Sequence, residues 1–241
     1  MVVPKSHPRY ASLNTREIIA DGVKKGITPI HGLMAHGRGE AFDYLIGEKT
    51  TKTARKSIDA AAALLLSAKN PVISVNGNVA ALVPKELVQL SKTIPAKLEV
   101  NLFHSSKQRE LKIKNYLIKN GAKEVLLPQK NCKIKHLGSN RKYVNKEGIY
   151  KADVVFVPLE DGDRTEALIK NRKKVITIDL NPMSRTAKKA TITLVDNITR
   201  AVPLLIKTIK EYKKFNRNKL EKIIKDYDNK KILKEANKLI R

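Results

Sequence analysis

The chain has 241 residues, 41% of them hydrophobic, a single cysteine, and a formal charge of +26 from 49 basic and 23 acidic side chains. That composition excludes a disordered polymer, and the lone Cys132 excludes an internal disulfide and a cysteine-built metal site. No apolar stretch is long enough for a membrane span and the N-terminal segment lacks a secretory apolar core, so no membrane association and a reducing cytoplasm are expected. The charge raises the alternative of a basic nucleic-acid-binding protein without catalytic activity. Lysines are spread along the chain, however, and aromatics make up 5% with no Trp. Base-stacking platforms are therefore few, nucleic-acid binding is expected to be at most non-specific, and the positive field suits small phosphorylated anions.

The length predicts one α/β domain over 1–241: N-terminal helices in 1–70, a Rossmann-like core in 71–206 and a basic helical extension in 207–241. "SLNTREIIADGVKKG" reads as a helix with Asn14 or Thr15 as N-cap and Gly26 as its stop. A second helix is expected in "HGLMAHGRGEAFDYLIG" and a third over 51–68, ending before Pro71. "PVISVNGN" is an apolar run meeting a turn, as a buried parallel strand does. "PKELVQLSKTI" is helix-like, "KLEVNLF" a strand, "KQRELKIKNYLIKNG" a crossover helix closed by Gly121, and "KEVLL" a short strand. Residues 128–150 show no steady period and read as a long irregular segment. "ADVVFVPLEDGDRTEALIKN" gives strand, acidic turn and helix; "KKVITIDLNPMSRTAKKA" gives strand and polar turn; "TITLVDN" is a strand before the helix "ITRAVPLLIKTIKEYKKF". The alternation predicts an α/β fold with a mostly parallel sheet and helices on both faces. Residues 216–241 read as amphipathic C-terminal helix, packed on the domain or at a subunit contact.

Ligands of open parallel sheets bind outside the carboxyl ends of the strands. Five expected strand ends are polar: Asn76-Gly77-Asn78, Asn101 with His104, Glu160 through Thr165, Asp179-Leu180-Asn181, and Asp196-Asn197. Each alone is compatible with an ordinary turn or helix cap; five on one edge point to a site. Gly77 lets backbone approach a ligand or simply makes a turn. Asp161 and Asp163 either cap a helix or hold Mg²⁺ beside a polyphosphate, with Arg164 pairing an anion. Asp179 at a strand end can accept from a ribose hydroxyl, and Arg185 can meet phosphate or lie in solvent. In "HGRGEAFDYL" the fork of Arg38 suits phosphate, flanked by Gly37 and Gly39, whose backbone freedom a packed helix does not need. His36 and His104 are acid–base or substrate candidates, or structural histidines. Cys132 has no flanking nucleophile constellation and reads as inert. No P-loop, GxGxxG, HExxH or GxSxG occurs, which disfavours P-loop kinases, hydride transfer, zinc hydrolysis and α/β-hydrolases.

The blocks "VPKSHPRYASLNTRE", "GLMAHGRGEAFDYLIGEKT", "AAAALLLSAKNPVISVNGNVAALVP", "LEVNLFH", "GIYKADVVFVPLEDGDRTEAL" and "VITIDLNPMSRTAKKATITLVDNITRA", in that order, resemble the archaeal phosphopantothenate synthetases, or 4-phosphopantoate–β-alanine ligases. The resemblance covers nearly all of 1–206; 207–241 carries no matching motif. It implies a Rossmann-like homodimer that uses ATP and Mg²⁺ to condense 4-phosphopantoate with β-alanine, giving 4'-phosphopantothenate for coenzyme A, with AMP and diphosphate released. The family's nucleotide pattern falls on Arg16, Arg38, Asp179, Leu180, Asn181, Arg185, Thr186, Asn197 and Ile198. Arg38, His104 and Arg164 are then the expected catalytic groups, Asn76, Asn78 and Asn101 the expected substrate contacts, and Asp161 and Asp163 the expected metal ligands. The chemistry agrees: a carboxylate is a poor electrophile until adenylation supplies a leaving group, and cations that align two anionic reactants are the main requirement.

Overall fold

The computed structural model describes residues 3–240. Among the described residues seven strands form: β1 (Pro71–Val75), β2 (Lys97–Val100), β3 (Gln129–Lys133), β4 (Tyr143–Val144), β5 (Val154–Phe156), β6 (Lys174–Ile178) and β7 (Ile192–Leu194). Five make an all-parallel sheet in the order β2-β1-β5-β6-β7, while β3 and β4 pair antiparallel apart from it. This is the doubly wound order in which the direction of winding reverses at the neighbouring strands β1 and β5, and a crevice opens outside their carboxyl ends, where the following segments part to opposite faces.

Strand residues alternate between two cores. Ile73, Val75, Leu98, Val100, Phe156, Ile176 and Ile178 enter one; Val72, Val155 and Val175 enter the other. A sheet buried on both faces needs apolar residues at successive positions, which is why these strands read as continuous runs. The first face is covered by α3 (Lys52–Leu66), α5 (Pro84–Thr93), α6 (Lys107–Lys119) and α9 (Ile198–Tyr212), through Ile58, Leu65, Leu87, Ile113, Leu117, Val202 and Leu205. The second is covered by α7 (Gly162–Lys170), through Ala167 and Leu168, and by Cys132, Ile134, Val144 and Ile149 of the segment expected to be irregular. Helices thus cover one face fully and share the other with that insert. No helix among the described residues is long and apolar enough to cross a membrane.

The remaining expectations divide. The first helix, α1 (Tyr10–Lys24), starts earlier than predicted, with Arg9 at its N-cap. Thr15 is buried inside it and bonds the Ala11 carbonyl at 2.8 Å, so neither Asn14 nor Thr15 caps. Gly26 does end it, at φ +65°. Asn76-Gly77-Asn78 opens a short helix, α4 (Gly77–Leu82), in place of a plain turn. "KEVLL" is no strand: only Leu126 bridges β2, with backbone bonds to Leu98 and Val100, because the chain leaves the sheet at once. The C-terminal segment forms α10 (Arg217–Lys225) and α11 (Asn229–Asn237), packed on the fold with Leu220, Ile232, Leu233 and Ala236 buried. Asn229 accepts from the Thr193 amide at 2.9 Å and donates to the Ala187 carbonyl at 2.9 Å, so this segment shields the β7 edge.

The insert 128–150 is ordered by long-range polar ties. Glu99 of β2 is fully buried and its carboxylate accepts the amides of Asn145 (2.9 Å) and Ile149 (2.6 Å). Lys173 donates to the carbonyls of Tyr150 and Ala152, each at 2.8 Å. Burial pushes the Glu99 carboxyl up to about 7, against the pull of the two amides. A folded-state value above the usual carboxyl range means that the folded chain holds a proton the unfolded chain releases. The stability it contributes is full at acid pH and lost as pH rises through about 7. In thermal and urea denaturation, the stability of the wild type relative to Glu99→Gln is expected to fall by about 1–3 kcal/mol between pH 5 and 7.5 and then level; a difference independent of pH would contradict this.

Candidate functional site

The crevice lies where the strand-order argument places it. Asn76, directly after β1, accepts from the Val79 amide to cap α4 and donates to the carbonyls of Pro158 (3.2 Å) and Leu159 (3.0 Å) after β5. Its amide therefore clasps the exits of the two diverging strands. Leu159 takes a left-handed backbone, φ +53°, to turn the chain across the sheet edge. Asn78 donates to the Gly32 carbonyl at 2.9 Å and accepts from the Thr28 hydroxyl, which fixes the start of α2 (Ile30–Leu45) over the crevice. The other end of α2 is tied by Asp43, buried with Asp196 around Arg200 (2.5 and 2.7 Å) and bonded by Asn197 at 2.8 Å.

Two lobes share a wall of Arg38, Asn78, Leu159, Glu160 and Asp161. The larger, about 580 Å³, gathers Arg38, Asp179, Leu180, Asn181, Arg185, Thr186, Asn197 and Ile198, with His36 at its edge. The smaller, about 380 Å³, is lined by His31, Asn76, Phe103, His104, Arg109 and Arg141. Both volumes suit small-molecule sites. In the larger lobe, Asp179 accepts from the Asn181 amide (2.9 Å) and the Ser184 hydroxyl (2.5 Å); burial holds its carboxyl above the usual range against those bonds and Arg38. Asn197 caps the fifteen-residue α9, so an amide-rich helix start opens there. Burial likewise lowers the His36 imidazole.

Beneath the shared wall lies an Arg–Glu–Arg set. Glu160 is held by Arg164 at 2.5 Å and by both terminal nitrogens of Arg141, which also reaches Asp161 at 2.7 Å. Arg164 is fully buried, bonds Ser74 at 3.0 Å, and leaves Nε and Nη2 without a partner among the described residues. Burial lowers its guanidinium, opposed by Glu160. Asn101 is buried as well: it accepts from Arg141 Nε at 3.2 Å and donates to the carbonyls of Arg141 and Tyr143. Burial raises the Asp161 carboxyl, but Arg141 and the Arg164 amide bring it below the usual range.

The expected site residues are not all brought together. Arg164 and Asn101 line neither lobe and hold Glu160 and Arg141 from below. The amides of Asn76 and Asn78 are spent on the fold. Asp161 caps α7 and takes Arg141, while Asp163 turns outward to Arg185 at 2.5 Å. The two acids do not converge, and among the described residues no group of three or more His, Cys, Asp or Glu could hold a metal ion. Arg16 lies outside the crevice, paired with Glu40 at 2.6 Å in a shallow depression on the outer side of α2. Gly37 and Gly39 are helical, neither with positive φ; a Cβ at Gly37 would meet nothing within 4 Å, and one at Gly39 only Leu180 at 3.6 Å. Their value is the uncrowded flank of Arg38, and the expected backbone freedom is not used. Arg38 is exposed and, unlike Arg16, Arg141, Arg185 and Arg200, forms no ion pair among the described residues. Sequence reasoning missed Arg141, Arg109 and His31. Arg141 sits in the aperiodic insert and gave no signal; Arg109 follows the Ser106 cap of α6, whose nearness to the expected β2 end was a usable one.

A family profile described as "Phosphopantothenate/pantothenate synthetase" matches residues 53–241, reaching through the C-terminal segment that carries no recognisable motif. The chain is 53% identical over 235 residues to a 4-phosphopantoate–β-alanine ligase of Thermococcus kodakarensis, covering 97% of this chain and 90% of that one. It is 54% identical, over the same shares, to the ligase of that name from Thermococcus onnurineus. To that of Methanosarcina mazei it is 54% identical over 97% of this chain and 92% of the relative.

The depth of the charge set predicts unequal costs. Glu160→Gln leaves two buried arginines facing a neutral amide and is expected to cost about 3–5 kcal/mol. Asp163→Asn breaks a pair 71% and 58% exposed at its side chains and is expected to cost under about 1 kcal/mol. Urea denaturation of both variants checks this; equal losses would contradict the buried set.

Proposed function

The chain belongs to the phosphopantothenate/pantothenate synthetase family, and from that premise we propose that it is an ATP-dependent ligase that joins 4-phosphopantoate to β-alanine, with ATP in the larger lobe and 4-phosphopantoate in the smaller. The observation that carries this reading is Arg38: an unpaired cation on the wall common to both lobes.

The reaction joins two anions before it makes an amide. A carboxylate oxygen of 4-phosphopantoate attacks the α-phosphorus of ATP and diphosphate leaves, giving an acyl adenylate. The β-alanine nitrogen then attacks the acyl carbon, loses a proton, and AMP departs with the bonding pair. The protein's part is alignment and charge compensation. Arg38 lies between the carboxylate and the α-phosphate and offsets their repulsion as charge builds. Asp179 and Asn181 face the ribose, Thr186 and the α9 start at Asn197 and Ile198 face phosphate, and Leu180 supplies an apolar wall to the base. Arg185 exchanges Asp163 and Glu166 for the triphosphate, a small cost because both of its pairs lie near the surface. His104 stands at the mouth of the smaller lobe, where the amine enters.

The donor set fits a Mg²⁺ that arrives with the triphosphate better than a resident ion, since such ions take one or two carboxylates plus phosphate oxygens. Asp161 lines both lobes and would hold it by giving up its bond to Arg141; when bound, the ion would neutralise phosphate charge. Asp163 is too far turned toward Arg185 to join.

The chain is also proposed to act as a homodimer through the outer side of α2. Ile30, Met34, Tyr44 and Leu45 are 66%, 71%, 61% and 54% exposed on that one helix, an apolar stripe with small Gly37 and Ala41 between them.

Arg38→Ala is expected to lower diphosphate release by about 100- to 1,000-fold with an unchanged circular dichroism spectrum; near-normal release would remove Arg38 from the site. Met34→Glu is expected to shift the mass in light scattering from dimer to monomer, and an unaltered mass would place the interface elsewhere.

A further inference from the structure

Besides Arg38 on the shared wall, the smaller lobe contains two arginines of different standing. Arg141 is fully subscribed: its terminal nitrogens bond Glu160 and Asp161, and its Nε bonds Asn101. Together with Arg164 below, two guanidinium groups face two carboxylates, so this set presents no net charge to a ligand. Arg109 is the opposite case. It donates only to backbone carbonyls, to His104 at 2.5 Å and to Ile27 at 3.3 Å. Carbonyl oxygens satisfy N–H groups but do not neutralise a cation, and a guanidinium has five N–H donors. Burial lowers its guanidinium with no acid to offset the loss. The turn is pared down around it: a Cβ on Gly77 would lie 2.6 Å from the Ile27 carbonyl and 3.3 Å from Arg109 Nη2. Beside it the rings of His31 and His104 pack 5.2 Å apart, offering further N–H donors.

We propose that Arg109 anchors the phosphate of the acyl substrate and thereby sets the preference for phosphorylated over unphosphorylated pantoate. This rests on the ligase reading above and adds the substrate's orientation. 4-Phosphopantoate carries a carboxylate at one end and a phosphate at the other. The carboxylate has to reach the wall shared with the ATP lobe, where Arg38 stands. The phosphate then falls in the part of the smaller lobe that does not touch the larger one, and Arg109 lines only that part. A phosphate monoester carries about −1.5 to −2 at neutral pH, against −1 for the β-alanine carboxylate, so an uncompensated arginine flanked by two imidazoles favours the phosphate.

The test uses the full chain as wild type, Arg109→Gln and Arg109→Lys. Three constants are measured: KM for 4-phosphopantoate, KM for β-alanine, and Ki for pantoate as a competitor. Arg109→Gln is expected to raise the 4-phosphopantoate KM about 10- to 100-fold, and Arg109→Lys by less, while pantoate Ki and β-alanine KM stay unchanged. A merely structural tie between Ile27 and His104 would weaken phosphopantoate and pantoate together, and an unchanged ratio of the two overturns the proposal. A rise confined to β-alanine overturns it as well, by assigning Arg109 to the other carboxylate. Wild-type product formation in the same assay reports separately on the ligase reading, which survives either failure.

Discussion

Glu160 is the constraint on which the crevice depends. It lies at the exit of β5, where the strand order reverses its winding, and carries its negative charge between two guanidinium groups that water scarcely reaches. Ion pairs so deep recover little net stability, because desolvation consumes most of the attraction. What the arrangement secures is position. Arg164 comes from α7, Arg141 from the insert and Glu160 from the loop between β5 and α7, so one carboxylate joins three parts of the chain under the shared wall. The cations beneath the site are thereby neutralised in place, and Arg38 and Arg109 remain to meet incoming anions. In a chain with formal charge +26, the useful property is where positive charge is left uncompensated.

This division also explains why the site is built on α2. That helix carries Arg38 at the lip of the crevice, and its apolar stripe runs along the adjoining outer flank, with Met34 and Leu45 four and seven residues from Arg38. Its two ends are fixed by different devices: the Asn78 and Thr28 bonds at the start, and the buried Asp43–Arg200–Asp196 group near the end. A helix held at both ends can present an exposed arginine at a set height above the sheet. The glycines around Arg38 leave its flank clear, and Leu180 closes against Gly39.

Much of the frame is legible in the sequence, for a definite reason. Strands buried on both faces are apolar at successive positions with few exceptions, here Ser74 and Thr177, so 71–75, 154–156 and 174–178 are visible without partners, and the helices between them imply parallel pairing. The polar strand ends follow from the same topology. Their roles do not. An asparagine after a strand looks the same whether its amide meets a substrate or a backbone carbonyl; Asn76, Asn78 and Asn101 all meet protein. Arg164 looked like an anion ligand because it opens a helix beside acids, yet its side chain turns inward to Glu160. The insert was opaque for a related reason. Its order comes from Glu99 and Lys173, which are 46 and 23 residues from the groups they bond, and no local period records such ties. That is also why Arg141 was missed.

The claim that the two lobes meet so that a carboxylate oxygen attacks the α-phosphorus of ATP is open to one direct measurement. 4-Phosphopantoate labelled with ¹⁸O in its carboxylate is converted in the presence of ATP and β-alanine, and the nucleotide product is examined by mass spectrometry. Attack across the Arg38 wall predicts one ¹⁸O atom in AMP. Label appearing in inorganic phosphate, with ADP as the nucleotide product, would mean attack at the γ-phosphorus and would contradict the account.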